Sequence, residues 1–262
     1  MSKILIIDAT NLLYRIYHVL RMSSVDEMTT MYMRSVNKYI GMFEPHVTYA
    51  VSDKRLIRGK KNFRRMEQDY KQNRDSSIWE TVHAAEDEIH NKLQQQGIRN
   101  MFPGILEADD VIAFLCNHLQ GKKTVISTDN DMAQLVSEHV QLYSPIKKIT
   151  IDVHNFEKHF PVMQNKYLLY KSILGDASDN IKGLPGHGKV KAKRLAENYD
   201  AEFTKLSTDL QQQQLNNMRL MNLNQGLVEH PEERDCYMQQ LQQFNDPECS
   251  QAQTNHLQQS FF

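Results

Sequence analysis

KILIID (Lys3 to Asp8) and VTYAVSD (Val47 to Asp53) are short β-rich runs, each ending on an aspartate, and the residues between them are compatible with two helices. That order predicts a βαβ unit. KKTVISTDND (Lys122 to Asp131) repeats the pattern of apolar strand and acidic tip, while IRNMF (Ile98 to Phe102) reads as a further strand before a helix starting near Glu107. Strands alternating with helices predict an α/β fold with a mostly parallel central sheet flanked by helices. Ligands of such sheets gather outside the carboxyl ends of the strands, and Asp8, Asp53 and Asp129 stand at three of those ends.

The acidic residues recur in small groups along the chain: Asp8; Asp53; Glu107, Asp109 and Asp110 in EADD; Asp129 and Asp131 in STDND; Asp176 and Asp179 in GDASDN. Taken singly, each has an ordinary reading as a helix cap or turn residue. Taken together, close pairs of carboxylates placed at strand ends would repel strongly unless a cation joined them. Hard divalent ions take oxygen ligands, so an acidic pocket without His or Cys points to Mg²⁺, with Mn²⁺ able to substitute, and away from zinc. Two such ions suit an in-line phosphodiester displacement, one side activating water and the other stabilising the leaving oxygen.

Bulk properties agree with a nucleic-acid enzyme. A chain of 262 residues allows one α/β core with a smaller appended module. The net charge is −1, but setting the nine site carboxylates aside leaves 23 acidic residues against 31 Lys plus Arg, so the remaining surface is basic. Cys116, Cys236 and Cys249 are too few and scattered for a disulfide framework or a zinc site, which predicts a reducing, cytoplasmic setting. No secretion signal or run of apolar residues long enough to span a bilayer is visible.

Between Asp53 and Trp79 runs a polar stretch dense in Lys and Arg, KRLIRGKKNFRRMEQDYKQNRDSSI, which reads either as a solvated loop or as a basic insertion serving the site. Beyond about Val153 the pattern turns helical. GLPGHGKVKAKRLAENY places Gly183, Pro185, Gly186 and Gly188 in a tight turn that opens into a helix, with Lys189, Lys191, Lys193 and Arg194 supplying charge. Free amides at such a start can face phosphate, although the same turn can simply join two packed helices. After Leu210 glutamine dominates, with helix-compatible stretches near 211 to 225 and 231 to 244, and no chemistry follows from that composition.

IDATNLLYR, EADD, STDND and GDASDNIKGLPGHGKVKA together resemble the motif series of phage and bacterial 5' nucleases (5'-3' exonucleases) related to flap endonucleases, over about residues 1 to 200. The resemblance implies a catalytic domain over 1–180 with a basic arch at about 54–80 and a helix-hairpin DNA-binding module over 181–200; the composition of the remainder reads as a helical Gln-rich extension over 201–262. It implies that Asp8, Asp53, Glu107 and Asp109 hold one metal, that Asp129, Asp131, Asp176 and Asp179 surround a second, and that Asp110 lies nearby. Potassium is expected at the hairpin turn, at Gly183, Pro185 and Gly188. DYKQNR is similar to the family's arch motif, which makes Lys71 the candidate for the scissile phosphate, with Arg64, Arg65 and Arg74 assisting. Tyr70 either stacks on a base or packs internally. Gly186, Gly188, Lys189, Lys191 and Lys193 are expected on the duplex backbone.

The function so implied is hydrolysis of DNA, and of RNA primers, at 5' ends, flaps or nicks in replication or repair, with Lys71, Arg65, Asp131 and Asp176 central to turnover. Alternatives are a ribonuclease of the PIN type, which lacks the hairpin, and a noncatalytic junction binder with decayed metal sites. The terminal QQSFF reads either as a frayed end or as a degenerate peptide for a sliding clamp, and a single-strand-binding protein is a further candidate partner. A monomer is expected.

Overall fold

Strand β1 (Lys3–Asp8) alternates its apolar side chains between two buried layers, and every residue from Ile4 to Asp8 is buried. Leu5 and Ile7 face one layer, Ile4 and Ile6 the other, as a period of two requires. Strands buried on both faces read as continuous hydrophobic runs, the signature of a parallel sheet covered by helices. The computed structural model describes residues 2–20, 24–54, 56–57, 60–67, 70–71 and 79–244.

In chain order β1 is followed by α1 (Ala9–Leu20), α2 (Val25–Phe43), β2 (Val47–Val51), α3 (Phe63–Met66), α4 (Trp79–Gln95), β3 (Arg99–Met101), α5 (Ala108–His118), β4 (Lys122–Ile126), β5 (Val140–Ser144) and β6 (Ile149–Ile151). Helices then dominate: α6 (Phe156–His159), α7 (Tyr167–Leu174), a two-stranded pairing of β7 (Gly175–Asp176) with β8 (Ile181–Lys182), α8 (Lys189–Glu197), α9 (Tyr199–Phe203), α10 (Thr208–Met221), α11 (Gln225–Glu229) and α12 (Glu232–Gln243). The main sheet has the order β3-β2-β1-β4-β5-β6, parallel throughout except for the antiparallel edge strand β6.

The order doubles back around β1, so β2 and β4 flank it and their carboxyl ends open beside Asp8. The expected mostly parallel sheet flanked by helices is therefore present. On one face, Leu5 and Ile7 pack with Leu12, Ile16, Tyr32, Val36 and Ile89 from α1, α2 and α4. Helix α2 starts on a reciprocal capping box, in which Ser24 Oγ accepts from Glu27 N–H and Glu27 accepts from Ser24 N–H. On the other face, α5 lies across β1 and β2, and Phe114 meets Tyr237 of α12 with ring centroids 5.2 Å apart. The Gln-rich segment thus closes the core behind α5. Among the described residues no helix is long and apolar enough to cross a membrane.

Candidate metal centre and nucleic-acid interface

Asp8 ends β1 and is fixed there by two donors: Asn11 N–H donates to Oδ1 at 3.1 Å and Ser127 Oγ to Oδ2 at 2.8 Å. Burial pushes its carboxyl up to about 7, opposed by those hydrogen bonds and reinforced by the charges of Asp53 and Asp129. Asp53 follows β2; its N–H donates to Thr10 Oγ1 at 2.8 Å, and its Oδ1 accepts from Ala108 N–H, the first amide of α5, at 2.8 Å. The second strand end is thereby tied to the helix carrying EADD.

Asp109, on the first turn of α5, is raised well above the usual carboxylate range by burial and by repulsion from Asp129, Asp8 and Asp53, with Lys71 opposing. Asp129 follows β4 and caps a short 3₁₀ turn, accepting from Asp131 N–H at 2.8 Å. Asp131 is raised to about 6 by burial and by Asp129, against the pull of Lys171. Four strand and helix ends therefore bring carboxylates near enough to repel one another.

Two lysines lie among these acids. Lys71 Nζ is 2.7 Å from Glu107 Oε2 and 3.7 Å from Asp179 Oδ2, and its backbone N–H donates to Asp179 O at 3.1 Å. Lys71 adopts a left-handed conformation, φ 56°, which a non-glycine residue takes at some cost in strain and which occurs often at functional positions. Glu107 also accepts from Arg65 Nε at 3.0 Å and from Tyr70 Oη at 3.1 Å. Burial would raise the Glu107 carboxyl, but Lys71, Arg64 and Arg65 outweigh it and hold the group well below its ordinary range. Lys171, on α7, bridges Asp131 at 3.0 Å and Asp176.

Every candidate donor is an oxygen, which suits hard divalent cations. Among the described residues no three or more His, Cys, Asp or Glu side chains stand together in an arrangement that could hold a metal ion. The ammonium groups of Lys71 and Lys171 instead neutralise the carboxylates on either side of the Asp8, Asp53, Asp109 and Asp129 group. The donor chemistry fits a metal pair, since mutual repulsion of buried carboxylates is what added divalent charge relieves.

A family model described as the 5'-3' exonuclease, N-terminal resolvase-like domain, matches residues 3–161. The chain belongs to the 5'-3' exonuclease family. Flap endonuclease Xni of Shewanella denitrificans is 28% identical to it over 203 residues, 76% of this chain and 79% of that protein. The 5'-3' exonuclease of Mycoplasmopsis pulmonis is 26% identical over 204 residues, 76% of this chain and 67% of that one. A structure of T5 5'-exonuclease with bound zinc superposes with a TM-score of 0.67 at 20% identity, covering 96% of this chain and 98% of the other. Another, of T5 D15 flap endonuclease with DNA and metal ions, gives 0.65 at 20% identity, with 98% of each chain covered. At that identity the structural likeness concerns the fold. Family membership makes the protein a metal-dependent hydrolytic nuclease.

In this 5'-3' exonuclease one residue stands elsewhere than the sequence predicts, and a second is committed to it. Arg64, expected on DNA, is 2% exposed; Asp110, expected near the metals, is fully buried. They pair with each other, Arg64 Nη1 to Asp110 Oδ2 at 2.7 Å and Nη2 to Oδ1 at 2.9 Å. Asp110 also accepts from Glu107 N–H at 3.1 Å, capping α5. With both oxygens so engaged, Asp110 braces the helix start, and Arg64 has no face toward solvent. Arg74 and the terminal QQSFF lie outside the described residues.

The hairpin of the nuclease is as compact as its glycines suggest. A Cβ on Gly183 would stand 2.1 Å from Leu174 O, so only glycine lets these strands of backbone cross. Gly186 takes φ 73° at the tip, and Gly188 leads into α8 without a side-chain cap. Lys189, Lys191 and Lys193 are exposed. Gly183 O accepts from Gln213 Nε2 at 3.2 Å, and Pro185 O lies 2.9 Å from His187 Nδ1, so potassium there would share these carbonyls.

Sequence reasoning missed Lys171, a lone cation inside the apolar run YLLYKSIL; its available signal is its position five residues before Asp176. It also missed Lys158, which with Lys189, Lys193, Phe160 and Tyr170 lines an open cavity of about 520 Å³ beside the hairpin.

Proposed function

We propose that this nuclease hydrolyses DNA at frayed, flapped or nicked 5' ends, leaving a 5'-phosphate and a 3'-hydroxyl, and that Mg²⁺ is its working metal. The observation that carries the reading is the convergence of Asp8, Asp53, Asp109 and Asp129 at one edge of the parallel sheet, flanked by the cations Lys71 and Lys171. Divalent ions bound there would supply Lewis acidity to the scissile phosphate and make water nucleophilic at neutral pH.

The residues themselves do the rest. Lys71, held by Glu107 and Asp179, presents positive charge where a phosphate oxyanion gains charge, the arrangement that lowers a phosphoryl-transfer barrier. Lys171 does the same from the Asp131 and Asp176 side. Asp131, Asp176 and Asp179 then serve as ligands or as orienting partners of those cations. Lys189, Lys191 and Lys193 on α8 grip duplex phosphates, with free amides at the uncapped helix start assisting. Potassium at the hairpin turn belongs to this proposal as a family expectation, and recruitment by a clamp as one reading of the terminal QQSFF.

The test is a 5'-labelled flap duplex incubated with and without Mg²⁺, beside an Asp176→Asn control. Short 5' products from the wild type alone, and only with metal, are expected; tight binding without cleavage in any divalent metal would leave a junction binder.

A further inference from the structure

Behind Tyr70, on the side of α10, lies a cavity of about 230 Å³ that the metal centre does not use. Its walls are amides: Asn180 from the turn after Asp179, and Gln213, Asn216 and Asn217 from α10. Ile181 and Leu220 add apolar surface, and Lys182 is a cation in its lining. The amides are set in place. Gln213 Nε2 donates to Lys182 O at 3.3 Å and Gly183 O at 3.2 Å, and Asn217 Nδ2 to Ser172 O at 2.9 Å and Lys182 O at 2.8 Å. Glu67, the acid of the wall, is 3.5 Å from Arg219.

We infer that this cavity is a nucleobase site, receiving the unpaired base of a nucleotide next to the scissile phosphate. Phosphate is a poor fit, because a doubly coordinated anion wants several cations and the described lining offers one. With the Gln213 and Asn217 NH2 groups taken by backbone carbonyls, their amide oxygens are left to accept from the edge of a planar heterocycle, and Asn216 brings an amide that carries both kinds of group. The apolar patch of Ile181 and Leu220 and the Tyr70 ring accommodate its faces.

Tyr70 also fixes where along the strand the base belongs. Its hydroxyl reaches Glu107 at 3.1 Å and Asp179 at 3.4 Å, and its ring centroid is 4.9 Å from Lys71 Nζ. One side chain thus joins the acidic centre to the amide cavity. A nucleotide with its phosphate at Lys71 has its base within reach of the cavity, and unpairing that base is the step a duplex end must complete before cleavage. The site therefore selects for ends already frayed, and it rests on the nuclease reading above.

The test uses 5'-flap duplexes with one abasic residue stepped through the positions flanking the cleavage site. Single-turnover rates are read in Mg²⁺, and affinities by fluorescence anisotropy with calcium in its place. The wild type is expected to lose about tenfold at one position and little at the others, the scale of one stacked base. Asn216→Leu should lose a similar factor on the intact substrate and nothing more when that base is removed. Equal losses at every position, no loss anywhere, or full additivity in Asn216→Leu would overturn the nucleobase site. If no substrate is cleaved while the position-dependent binding persists, the cavity stands and the nuclease reading fails. Cleavage with uniform rates and affinities means the opposite, a nuclease that has no base site in this cavity.

Discussion

Arg64 forks onto Asp110, and two more of its donors go to the backbone of the C-terminal segment: Nε to Leu220 O at 2.8 Å and Nη2 to Asn222 O at 3.0 Å. One guanidinium therefore ties α3, the start of α5 and the end of α10 together. Since α5 starts directly after Glu107 and carries Asp109, the spacing of the site carboxylates depends on it.

Arg64→Ala removes the cation paired with a fully buried Asp110, and breaking such a pair costs about 3–5 kcal/mol. Denaturant unfolding is expected to show a loss of that size. Restoring charge neutrality with Arg64→Met combined with Asp110→Leu should recover much of it. If Arg64→Ala is as stable as the wild type but binds DNA poorly, the residue is a DNA contact after all.

Lys171 holds Asp131 and Asp176, for which a divalent cation in the proposed mechanism would have to compete, and burial would disfavour its charge were those two carboxylates not there to hold it on. Lys171→Ala is expected to bind Mg²⁺ more tightly by calorimetry yet to cleave at least tenfold more slowly under single-turnover conditions, with DNA affinity little changed. Lys71→Ala should likewise cut the rate more than the affinity. An unchanged rate in either variant removes that lysine from the chemistry.

The acidic centre also predicts how metal-free protein responds to pH. Asp8 at about 7 and Asp131 at about 6 stand above their ordinary value of 3.8, so between pH 4 and 7 the folded chain holds protons that the unfolded chain has released. Stability then falls as pH rises through that window. His90, held below its ordinary value by burial, pulls the other way, so the comparison is with Asp8→Asn. In EDTA the Tm of the wild type is expected to drop more between pH 5 and 8 than that of Asp8→Asn, and Mg²⁺ should raise the wild-type Tm more at pH 8 than at pH 5. A parallel response of the two proteins would contradict the linkage.

The sheet and its acidic edge were legible because strand-end carboxylates are local features: Asp8 and Asp53 sit where an apolar run stops, and GDASDN precedes its glycine turn directly. What escaped reading was long-range pairing. Arg64 meets Asp110 at a separation of 46 residues and Leu220 at 156, and nothing near Arg64 in sequence separates it from the more accessible Arg65 beside it. Strands β5 and β6 went unread; VQLYS and ITI end on no acidic residue, and they gain their order from pairing with β4 and each other. The Gln-rich tail looked inert because glutamine carries no charge, although Gln240 Nε2 donates to Phe102 O at 2.8 Å and its Oε1 accepts from Phe102 N–H at 2.9 Å.

That tail leads to the last expectation, centred on Glu233. The side chain is 1% exposed, accepts from Gly104 N–H at 2.9 Å, Ile105 N–H at 3.0 Å and Tyr237 Oη at 2.9 Å, and so splints the loop that delivers Glu107 to the site. Glu233→Ala strands two buried amides, each costing about 1–3 kcal/mol, so a total loss of about 2–6 kcal/mol is expected in denaturant unfolding. Glu233→Gln keeps an acceptor oxygen and should lose less. Gly104→Ala offers an independent check, since its Cβ would stand 2.2 Å from Glu233 Oε1 and force the splint to shift. If α12 only caps the core, all three variants lose stability while the cleavage rate of the folded protein stays at the wild-type value. If it positions Glu107, Gly104→Ala and Glu233→Gln also slow single turnover several-fold in saturating Mg²⁺ at temperatures where both remain folded.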